Sequence, residues 1–414
     1  MNLPFVDSHW SCDNSLLYCT WAFVQCNGIG NVESLNLSHA GVHGSLPTSI
    51  GTIYSLKALD LSGNSILGPI PSTVGDLTGL TLLYLNYNML SKSIPTHLSL
   101  LTNLQHINIS SNYFSGAFPT AIASMAKLKS LSVSSNYFSG SIPAVISNLK
   151  SLLLFDASSN YIDSSIPVTI SALIALSYLS LANNKLSSTI PLSIYKLTAL
   201  ISLNLGTNSL TGVLPSNIKS LSRLTYLGLN DQRPVSRSAG VMVAFGGKLP
   251  SEIGGISPLR VLNFSTNAFT GSIPSAFGLL SDLEYLNLAS QYGLTGVIPT
   301  ALMQLSKLEY LNLYYGDIKG VIPANVGALK SITYLALDHL SLTGAIPSSV
   351  QGLTKLKELY IEDNFLSSAI PSSLCFLFLQ TFFAFNNRFS CYSKCLSTIS
   401  TFENTPGMLP CQGP

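Results

Sequence analysis

Cysteine is the residue type whose distribution along this chain most clearly points to chemistry. All seven cysteines lie near the two ends of the sequence, at positions 12, 19, 26, 375, 391, 395 and 411. Disulfide bonds that close both ends explain this distribution, and they imply an oxidising compartment. A zinc site is the weaker interpretation, because no Cys-x-x-Cys pair occurs and no histidine lies near the C-terminal group. We predict no metal, and disulfides of open pairing at Cys391, Cys395 and Cys411.

The histidines and carboxylates do not form a recognisable catalytic arrangement. The six histidines are scattered, at positions 9, 39, 43, 97, 106 and 339. No G-x-S-x-G, H-E-x-x-H or phosphate-loop motif occurs. One charged group, which we interpret as a solvated cap on an exposed surface, comprises Lys357, Glu358, Glu362 and Asp363. We predict that the protein is not an enzyme and uses no cofactor.

The composition combines many apolar residues with very few charges. Of 414 residues, 47% are hydrophobic and 9% are charged, and the mean hydropathy is +0.40. Soluble domains carry roughly 25% charged residues, so a membrane protein or one long core is indicated. No run of about 20 apolar residues exists, since Gln380 and Thr381 interrupt the most apolar stretch, 374–385. The net charge of +2 argues against a nucleic-acid partner.

A regularly spaced proline, preceded by Ile, Leu or Phe, defines a sequence repeat. Most steps are 24 residues, with one of 25 and one of 35. Alignment on proline yields the pattern L-x-x-L-x-L-x-x-N-x-L-x-G-x-I-P, of which 200–215 is a clear example. The fourteen prolines are Pro47, Pro71, Pro95, Pro119, Pro143, Pro167, Pro191, Pro215, Pro250, Pro274, Pro299, Pro323, Pro347 and Pro371.

Each position of the repeat has a physical role. The L-x-L segment alternates inward and outward side chains, as a short β-strand does. The Asn amide can satisfy backbone groups that are buried where the chain leaves the strand. A single repeat cannot bury its leucines, so repeats must stack. We predict an α/β repeat solenoid: a right-handed superhelix with a parallel sheet on its concave face and short 3-10 or helical turns on its convex face.

The repeat boundaries divide the chain into three predicted segments. Residues 1–31 form an N-terminal cap, 32–374 form the solenoid, and 375–414 form a terminal partial repeat with a cysteine-containing cap. An 11-residue insertion near 231–247 interrupts the ninth repeat and contains Arg233 and Arg237. We interpret this insertion as a tolerated surface loop, with a part in a ligand pocket as the alternative.

The repeat resembles the plant-type extracellular leucine-rich repeat family. The phrase L-T-G-x-I/L-P, which is specific to that class, occurs at 210–215 and 342–347. The family's N-terminal cap, W…C-x-W-x-x-V-x-C, is matched by Trp10, Cys19, Trp21, Val24 and Cys26. The resemblance implies a right-handed leucine-rich-repeat fold and a disulfide between Cys19 and Cys26.

The match at the N-terminus is incomplete. The helix that precedes the cap tryptophan in the family is absent, and Cys12 is left without an assigned partner. The first residues also lack the basic and apolar segments of a secretory signal. We expect a truncated N-terminus, with a free Cys12 as the alternative.

The resemblance implies a binding protein. Members include receptor-like kinases and receptor-like proteins, polygalacturonase inhibitors and protist surface antigens. The main hypothesis is an extracellular or cell-surface protein that binds a protein, peptide or glycan through its concave face, with any membrane anchor or co-receptor outside this chain. The alternatives are an inhibitor of a secreted hydrolase and a structural surface antigen. The oligomeric state stays open.

Tyrosines recur at the outward positions of the predicted strands. Either they form a ligand-binding surface, because tyrosine offers rigid contact area with a hydroxyl, or they shield the sheet. Repeats eleven to thirteen also lack the turn Asn, at Gln291 or Tyr292, Gly316 and Leu340, beside these tyrosines. The candidate ligand-binding residues are Tyr178, Tyr226, Tyr285, Tyr310, Tyr314, Tyr315, Tyr334 and Tyr360.

Three N-glycosylation sequons occur on predicted strands, at Asn36, Asn108 and Asn263. The repeat consensus L-N-L-S generates such triplets by itself, so their use is left open. Glycans at these positions would block part of the concave face.

Overall fold

The computed structural model describes residues 18–232, 245–404, 406 and 408–411. It divides into two compact units, Met1–Leu200 and Ile201–Pro414. The predicted residues Trp10, Cys12, Arg233 and Arg237 lie outside the described residues. The division into caps and solenoid at residues 31 and 374 stays a prediction.

In the first unit, the predicted L-x-L segments form a main sheet with one strand per repeat. Its strands are β1 Val24–Cys26, β2 Val32–Asn36, β4 Ala58–Asp60, β6 Leu82–Tyr84, β8 His106–Asn108, β10 Ser130–Ser132, β12 Leu154–Asp156 and β14 Tyr178–Ser180. β1 and β2 are antiparallel, and the pairs from β2 to β14 are parallel. Their register advances by one repeat, so Leu59 pairs with Leu83, which pairs with Ile107.

A second, narrower set of strands follows each turn of the first unit. These strands are β3 His43–Ser45, β5 Ser65–Gly68, β7 Met89–Lys92, β9 Tyr113–Ala117, β11 Tyr137–Gly140, β13 Tyr161–Ile162 and β15 Ser187–Thr189. β3 to β13 pair in parallel. The repeat pattern did not predict this sheet, because its strands alternate only over the short segment between Asn and Pro.

Short 3-10 turns close each repeat of the first unit. Most begin at the residue after the repeat proline, which is held extended, as Pro71 is at φ −67° and ψ 143°. The 3-10 turns are Tyr18–Thr20, Thr48–Thr52, Ser72–Asp76, Thr96–Leu100, Thr120–Ser124, Ala144–Asn148, Val168–Ala172 and Leu192–Lys196.

The second unit repeats this architecture. Its main sheet contains β16 Ser202–Asn204, β18 Tyr226–Gly228, β20 Val261–Asn263, β22 Tyr285–Asn287, β24 Tyr310–Asn312, β26 Tyr334–Ala336, β28 Glu358–Tyr360, β30 Thr381–Phe383 and β32 Thr401–Glu403. All of these strands pair in parallel. Its narrow strands are β17 Ser209–Val213, β19 Phe245–Lys248, β21 Asn267–Ser272, β23 Gln291–Thr295, β25 Lys319–Val321, β27 Ser341–Gly344, β29 Phe365–Ile370 and β31 Arg388–Tyr392.

The turns of the second unit are also 3-10, so every helical segment within the described residues is of this type. The predicted repeat fold, with parallel strands and 3-10 turns, is confirmed. Among the described residues, no helix has the length and apolar character needed to cross a membrane. The 3-10 turns are Ser216–Ser220, Ser251–Gly255, Ser275–Leu279, Thr300–Gln304, Val326–Ala328, Ser348–Gly352, Ser372–Phe376 and Lys394–Thr398.

The consensus apolar positions form the core of each unit. The central strand residues, such as Leu59 and Leu311, are fully buried, and burial of one such side chain contributes about 1.5–3 kcal/mol. Aromatic residues replace leucine at some positions and stack between repeats, as Phe114 and Phe138 do at 6.3 Å between ring centroids. The high proportion of apolar residues in the composition is therefore explained by these buried positions, which recur in every repeat.

A buried amide at most of the turns joins successive repeats. Asn112 accepts a hydrogen bond from the Leu90 N–H at 2.9 Å and donates to the carbonyls of Leu85, Ile109 and Ser110. Equivalent bonds are made by Asn64, Asn88, Asn136, Asn160 and Asn364. We call this series the asparagine ladder.

Two glutamines take the place of asparagine in the ladder. Gln232 accepts from the Leu210 N–H at 3.0 Å and donates to the Leu205 carbonyl at 2.9 Å. Gln291 accepts from the Phe269 N–H at 3.1 Å in the same way. The turn Asn is absent at position 291, as the sequence shows, but the ladder continues there because the longer Gln291 side chain reaches the same backbone groups.

Disulfides link the cysteines at both ends. Cys19 is bonded to Cys26, and their Cα atoms are 5.5 Å apart. At the C-terminal end, Cys375 is bonded to Cys395 and Cys391 to Cys411. The two C-terminal bonds tie the last repeats to the tail that follows them.

Removing one ladder amide should destabilise the protein strongly. Asn112→Ala leaves buried backbone groups of Leu85 and Leu90 without their partner, and each unsatisfied group costs about 1–3 kcal/mol. We expect the free energy of unfolding to fall by about 2–4 kcal/mol in urea titrations. Asn148→Ala, an exposed position on a 3-10 turn, serves as the control. Equal stability of the two variants would contradict the ladder's role.

The third residue before each repeat proline has a left-handed backbone. Gly140 has φ 73°, and the equivalent residue two repeats later, Ser188, has φ 68°. A Cβ atom built on Gly140 would have no other atom within 4 Å, so a side chain there meets no steric obstacle. A side chain in this conformation costs about 1–2 kcal/mol, partly offset by the greater chain entropy that glycine loses on folding.

Exchanging the residue types at these two positions should therefore move stability in opposite directions. We expect Ser188→Gly to raise, and Gly140→Ser to lower, the free energy of unfolding by about 0.5–1 kcal/mol. Thermal unfolding of both variants beside the parent chain measures this. A shift of the same sign in both would rule out backbone conformation as the cause.

Candidate functional site

Three predicted tyrosines lie in register at the start of adjacent strands in the second unit. Tyr285 pairs with Tyr310, and Tyr310 pairs with Tyr334, through β22, β24 and β26. Their rings are nearly parallel, with centroids 4.3 Å apart at both steps. Because successive side chains alternate along a strand, these rings lie on the face opposite the buried leucines. The repeat thus converts one sequence position into a continuous row of rings.

The row continues onto the following strands. The ring of Tyr360 lies 5.3 Å from that of Tyr334, and Phe383 follows at 5.4 Å in an edge-on arrangement. We call Tyr285, Tyr310, Tyr334 and Tyr360 the tyrosine stack. Phe383 was not among the predicted site residues, although its place at the end of β30 could have been read from the repeat alignment.

The hydroxyls of the tyrosine stack are held by neighbouring polar side chains. Asn287 donates to the Tyr285 hydroxyl at 3.2 Å, and Asn312 donates to the Tyr310 hydroxyl at 3.0 Å. The Tyr360 hydroxyl donates to Glu358 at 2.7 Å. Burial is the largest cause of the raised pKa of Tyr285 and of Tyr334. The stack is therefore a neutral, half-buried surface with fixed ring orientations.

A second aromatic group lies where the chain leaves these strands. Tyr314 and Tyr315 follow β24, and their ring centroids are 5.8 Å apart. The His339 ring lies 5.1 Å from Tyr314 and 6.3 Å from Tyr315, and Tyr292 lies 5.3 Å from Tyr315. The predicted residues Tyr314 and Tyr315 thus surround a histidine that the sequence interpretation had left among the scattered ones.

His339 bridges two carboxylates. Its Nδ1 is 3.1 Å from Asp338 Oδ2, and its Nε2 is 3.2 Å from Asp363 Oδ2. Asn386 donates to the other oxygen of Asp363 at 2.8 Å. His339 and Asp363 occupy the same left-handed turn position in successive repeats, at φ 53° and 51°. This shared turn geometry brings the imidazole of one repeat against the carboxylate of the next.

Glu362 lies beside this bridge and is almost fully buried. It is only 6% exposed, and Asp338 is 5% exposed. The pKa of Glu362 is raised to about 7, mainly by burial, with the charges of Asp338 and Asp363 acting in the same direction and that of His339 lowering it. Its Oε2 is buried and has no hydrogen-bond partner. We call Asp338, His339, Glu362 and Asp363 the acidic cluster.

The interpretation of residues 357–363 as a solvated cap is therefore wrong for Glu362. Alternation along β28 places Leu359 and Ile361 in the core and turns Glu358, Tyr360 and Glu362 to the outer face. The neighbouring repeats then cover Glu362, with Asp338 on one side, where the His339 N–H donates to the Glu362 carbonyl at 3.1 Å. Sequence adjacency to other charges suggested exposure, but packing between repeats decides it.

The other predicted site residues are not part of this group. Tyr178 begins β14 in the first unit and is 36% exposed. Tyr226 begins β18, and Val261 on β20 separates it from Tyr285. The sequon residues Asn36, Asn108 and Asn263 each end a main-sheet strand, and their glycosylation stays a prediction.

The first unit contains a separate cleft of about 550 Å³ along its turns. Tyr113, Tyr137 and Tyr161 form one wall, with ring centroids 6.1 and 5.9 Å apart. Serines 111, 135 and 159 and the ladder asparagines line the remainder. The cleft offers ring edges and hydrogen bonds but no charged lining residue, and the sequence interpretation did not identify it.

Within the part of the chain that the structure describes, no group of three or more His, Cys, Asp or Glu side chains could hold a metal ion.

Stacked repeats that each contribute a parallel strand and a 3-10 turn, and in most cases a ladder amide, define a leucine-rich repeat solenoid. Models described as leucine rich repeat match residues 54–114 and 102–162, and residues 175–197, 199–221, 258–280 and 355–377. The chain belongs to the leucine-rich repeat family. A search of the curated proteins found no match.

Several solved structures are similar over most of the chain. The plant peptide hormone receptor RGFR1 in complex with RGF2 is 30% identical with a TM-score of 0.84, covering 93% of this chain and 60% of that one. The Arabidopsis receptor kinase HAESA ectodomain with an IDA peptide hormone is 29% identical with a TM-score of 0.70, covering 95% and 73%. A leucine-rich repeat protein of Leptospira interrogans is 30% identical with a TM-score of 0.67, covering 86% and 91%. The chain thus spans less than two thirds of RGFR1.

Ionisation of Glu362 should make stability fall as the pH rises. Its pKa is about 7 in the folded chain against 4.5 ordinarily, so between these values the folded state holds a proton that the unfolded state has released. Raising the pH through this window therefore favours unfolding, by about 1–3 kcal/mol. We expect Glu362→Gln to remove this part of the pH dependence in urea unfolding between pH 5 and 8.

The matched control is Glu252→Gln, which changes a carboxylate on a 3-10 turn away from the acidic cluster. It should unfold with the pH dependence of the parent chain. If Glu362→Gln also keeps the parental pH dependence, the carboxylate ionises in the folded chain as it does in water.

Proposed function

We propose that the protein is an extracellular or cell-surface recognition protein that binds a peptide segment on the outer face of the main sheet in its second unit. The single observation that carries this proposal is the tyrosine stack with Tyr314 and Tyr315 beside it. Together these residues place aromatic rings on consecutive repeats, in the tyrosine stack and in the group around His339. Binding, rather than catalysis, is the activity that this surface supports.

The tyrosine stack has the physical properties of a peptide-binding surface. Its rings are already fixed by stacking at 4.3 Å, so little side-chain entropy is lost when a ligand covers them. Tyrosine also combines apolar contact area with a hydroxyl, and it is enriched among the residues that dominate binding energy. An extended peptide could cross several repeats and contact one ring at each.

The similar structures support the same class of ligand. RGFR1 is described as a peptide hormone receptor in complex with RGF2, and HAESA is described in complex with a peptide hormone. A third similar structure, 26% identical with a TM-score of 0.73, is described as PEPR1 with AtPEP1. The corresponding activity for this chain is our proposal.

The three disulfides support an extracellular location. Bonds such as Cys19–Cys26, Cys375–Cys395 and Cys391–Cys411 persist in oxidising compartments and are rare in the cytosol. A peptide offered from outside the cell would reach the exposed tyrosines without crossing a membrane.

The proposal is tested by selecting ligands for the purified chain from a displayed library of random twelve-residue peptides. We expect enriched peptides whose affinity falls at least tenfold with Tyr310→Ala, since a central aromatic contact contributes about 2 kcal/mol or more. Isothermal titration calorimetry measures the affinity of each variant.

Two comparisons make the result specific. Tyr54→Ala, at a tyrosine that is 70% exposed in the first unit, should leave the affinity unchanged, and Tyr310→Phe separates the ring from its hydroxyl. The proposal fails if no peptide is enriched, or if selected peptides bind the folded Tyr310→Ala chain as tightly as the parent.

A further inference from the structure

The acidic cluster contains a buried carboxylate oxygen that the protein itself does not satisfy. Glu362 is 6% exposed, and its Oε2 has no hydrogen-bond partner. Buried polar atoms are nearly always paired, and one that is not calls for a specific explanation. A donor from outside the chain, supplied when a ligand binds, is such an explanation.

The charges around Glu362 indicate which kind of hydrogen-bond donor would be electrostatically complementary to this site. Asp338 comes from the preceding repeat and Asp363 follows Glu362 at the turn, and the charges of both raise the pKa of Glu362 while that of His339 lowers it. Glu358 lies two residues before Glu362 on the same face and accepts from Tyr360. Negative groups thus approach Glu362 from its own strand and from the preceding repeat.

Among the described residues, the cationic group in contact with these carboxylates is the imidazole of His339. In the described residues, the other ion pairs engage different acids, at Glu33, Glu284, Asp282 and Asp317. His339 contacts Asp338 and Asp363 through its two nitrogens, so neither nitrogen is left for Glu362. The cluster therefore carries more negative than positive groups.

Aromatic rings complete the surroundings. Tyr314 and Tyr315 lie within 5.1 and 6.3 Å of the His339 ring, and Tyr334 and Tyr360 of the tyrosine stack precede Glu362 on the same face. Ring faces within about 6 Å attract cations. Carboxylates beside such rings complement an organic cation, and the described residues contain no group suited to a metal ion.

We propose that the acidic cluster is the specificity pocket for a basic side chain of the bound peptide, with the arginine guanidinium as its ligand. The guanidinium donates to Glu362 and Asp338, and its plane packs against Tyr314 and Tyr360. This inference rests on the proposed function, because it assigns the chemistry of one ligand residue to a place beside the tyrosine stack. Because Glu362 is 6% exposed, binding in this pocket requires its side chain to rotate toward the outer face.

Arginine fits this site better than other peptide residues for a geometric reason. Its planar fork pairs with carboxylates through two parallel hydrogen bonds, and it stacks on aromatic rings. It also keeps its charge at every pH at which the protein is folded. Glu362, by contrast, changes charge near pH 7, so the affinity for the guanidinium should increase as the pH rises from 6 to 8.

The test uses a single amino-acid derivative, so that it does not depend on finding the peptide. N-acetyl-arginine N-methylamide is titrated into the full chain while the ring resonances of His339 are followed by NMR and assigned with His339→Gln. The citrulline analogue has the same shape without the charge and is the matched ligand control. We expect a saturable shift with the arginine derivative and none with citrulline at the same concentration.

Three variants separate this inference from the proposed function. Glu362→Gln should weaken the arginine derivative at least tenfold, whereas Glu252→Gln, on a distant 3-10 turn, should not change its affinity. Tyr310→Ala should weaken selected peptides but leave the arginine derivative bound, because Tyr310 is not part of the pocket. Thermal unfolding confirms that each variant is folded.

Two results would overturn the inference. Equal shifts with the arginine and citrulline derivatives would show that charge is not recognised, and an unchanged affinity in the folded Glu362→Gln chain would show that the buried carboxylate takes no part. Either result leaves the peptide proposal standing, because that proposal is judged by Tyr310→Ala and the selected peptides.

Discussion

The hydrogen bonding of buried backbone groups at the turns is the constraint on which the rest of this structure depends. Each repeat leaves its strand through a turn whose inward-facing N–H and carbonyl groups are buried, so these groups need partners from within the protein. The ladder amide supplies them, and its bonds extend to the preceding repeat, as those of Asn112 extend to Leu85 and Leu90. In the repeats that carry a ladder amide, one side chain thus fixes both the turn and the stacking register.

Because the ladder and the interior leucines hold the repeats, the outward side chains of the main sheet are free to vary. Identical residues at one outward position then stack, as Tyr285, Tyr310 and Tyr334 do. The ladder has no amide side chain at Gly316 and Leu340, immediately after Tyr315 and His339. At these two repeats the turn side chains contact one another across repeats instead, and this is where the acidic cluster forms.

The periodic features of this protein could be predicted from its sequence, and the features that depend on neighbours could not. The proline-aligned repeats, with steps of 24 or 25 residues here, fix which side chains meet between repeats, so the column containing Tyr285, Tyr310 and Tyr334 follows from alignment alone. The sequence alone did not show that Gln291 takes the place of the ladder asparagine, because this depends on how far its side chain reaches in the folded chain. The burial of Glu362 could not be predicted, because it depends on the packing of the repeats on either side. A run of charged residues in a sequence normally indicates a solvated surface.

The acidic cluster also shows how a repeat protein can accommodate an unfavourable group. A buried, unpaired carboxylate lowers the stability of the folded protein. In a solenoid, however, each repeat contacts mainly the repeats next to it. The cost at Glu362 is therefore confined to a few repeats, whose interior residues Leu335, Leu359 and Phe382 are fully or almost fully buried. The same core that keeps these strands in place holds the carboxylate out of water, and a carboxylate so placed interacts more strongly with a cationic partner than an exposed one would.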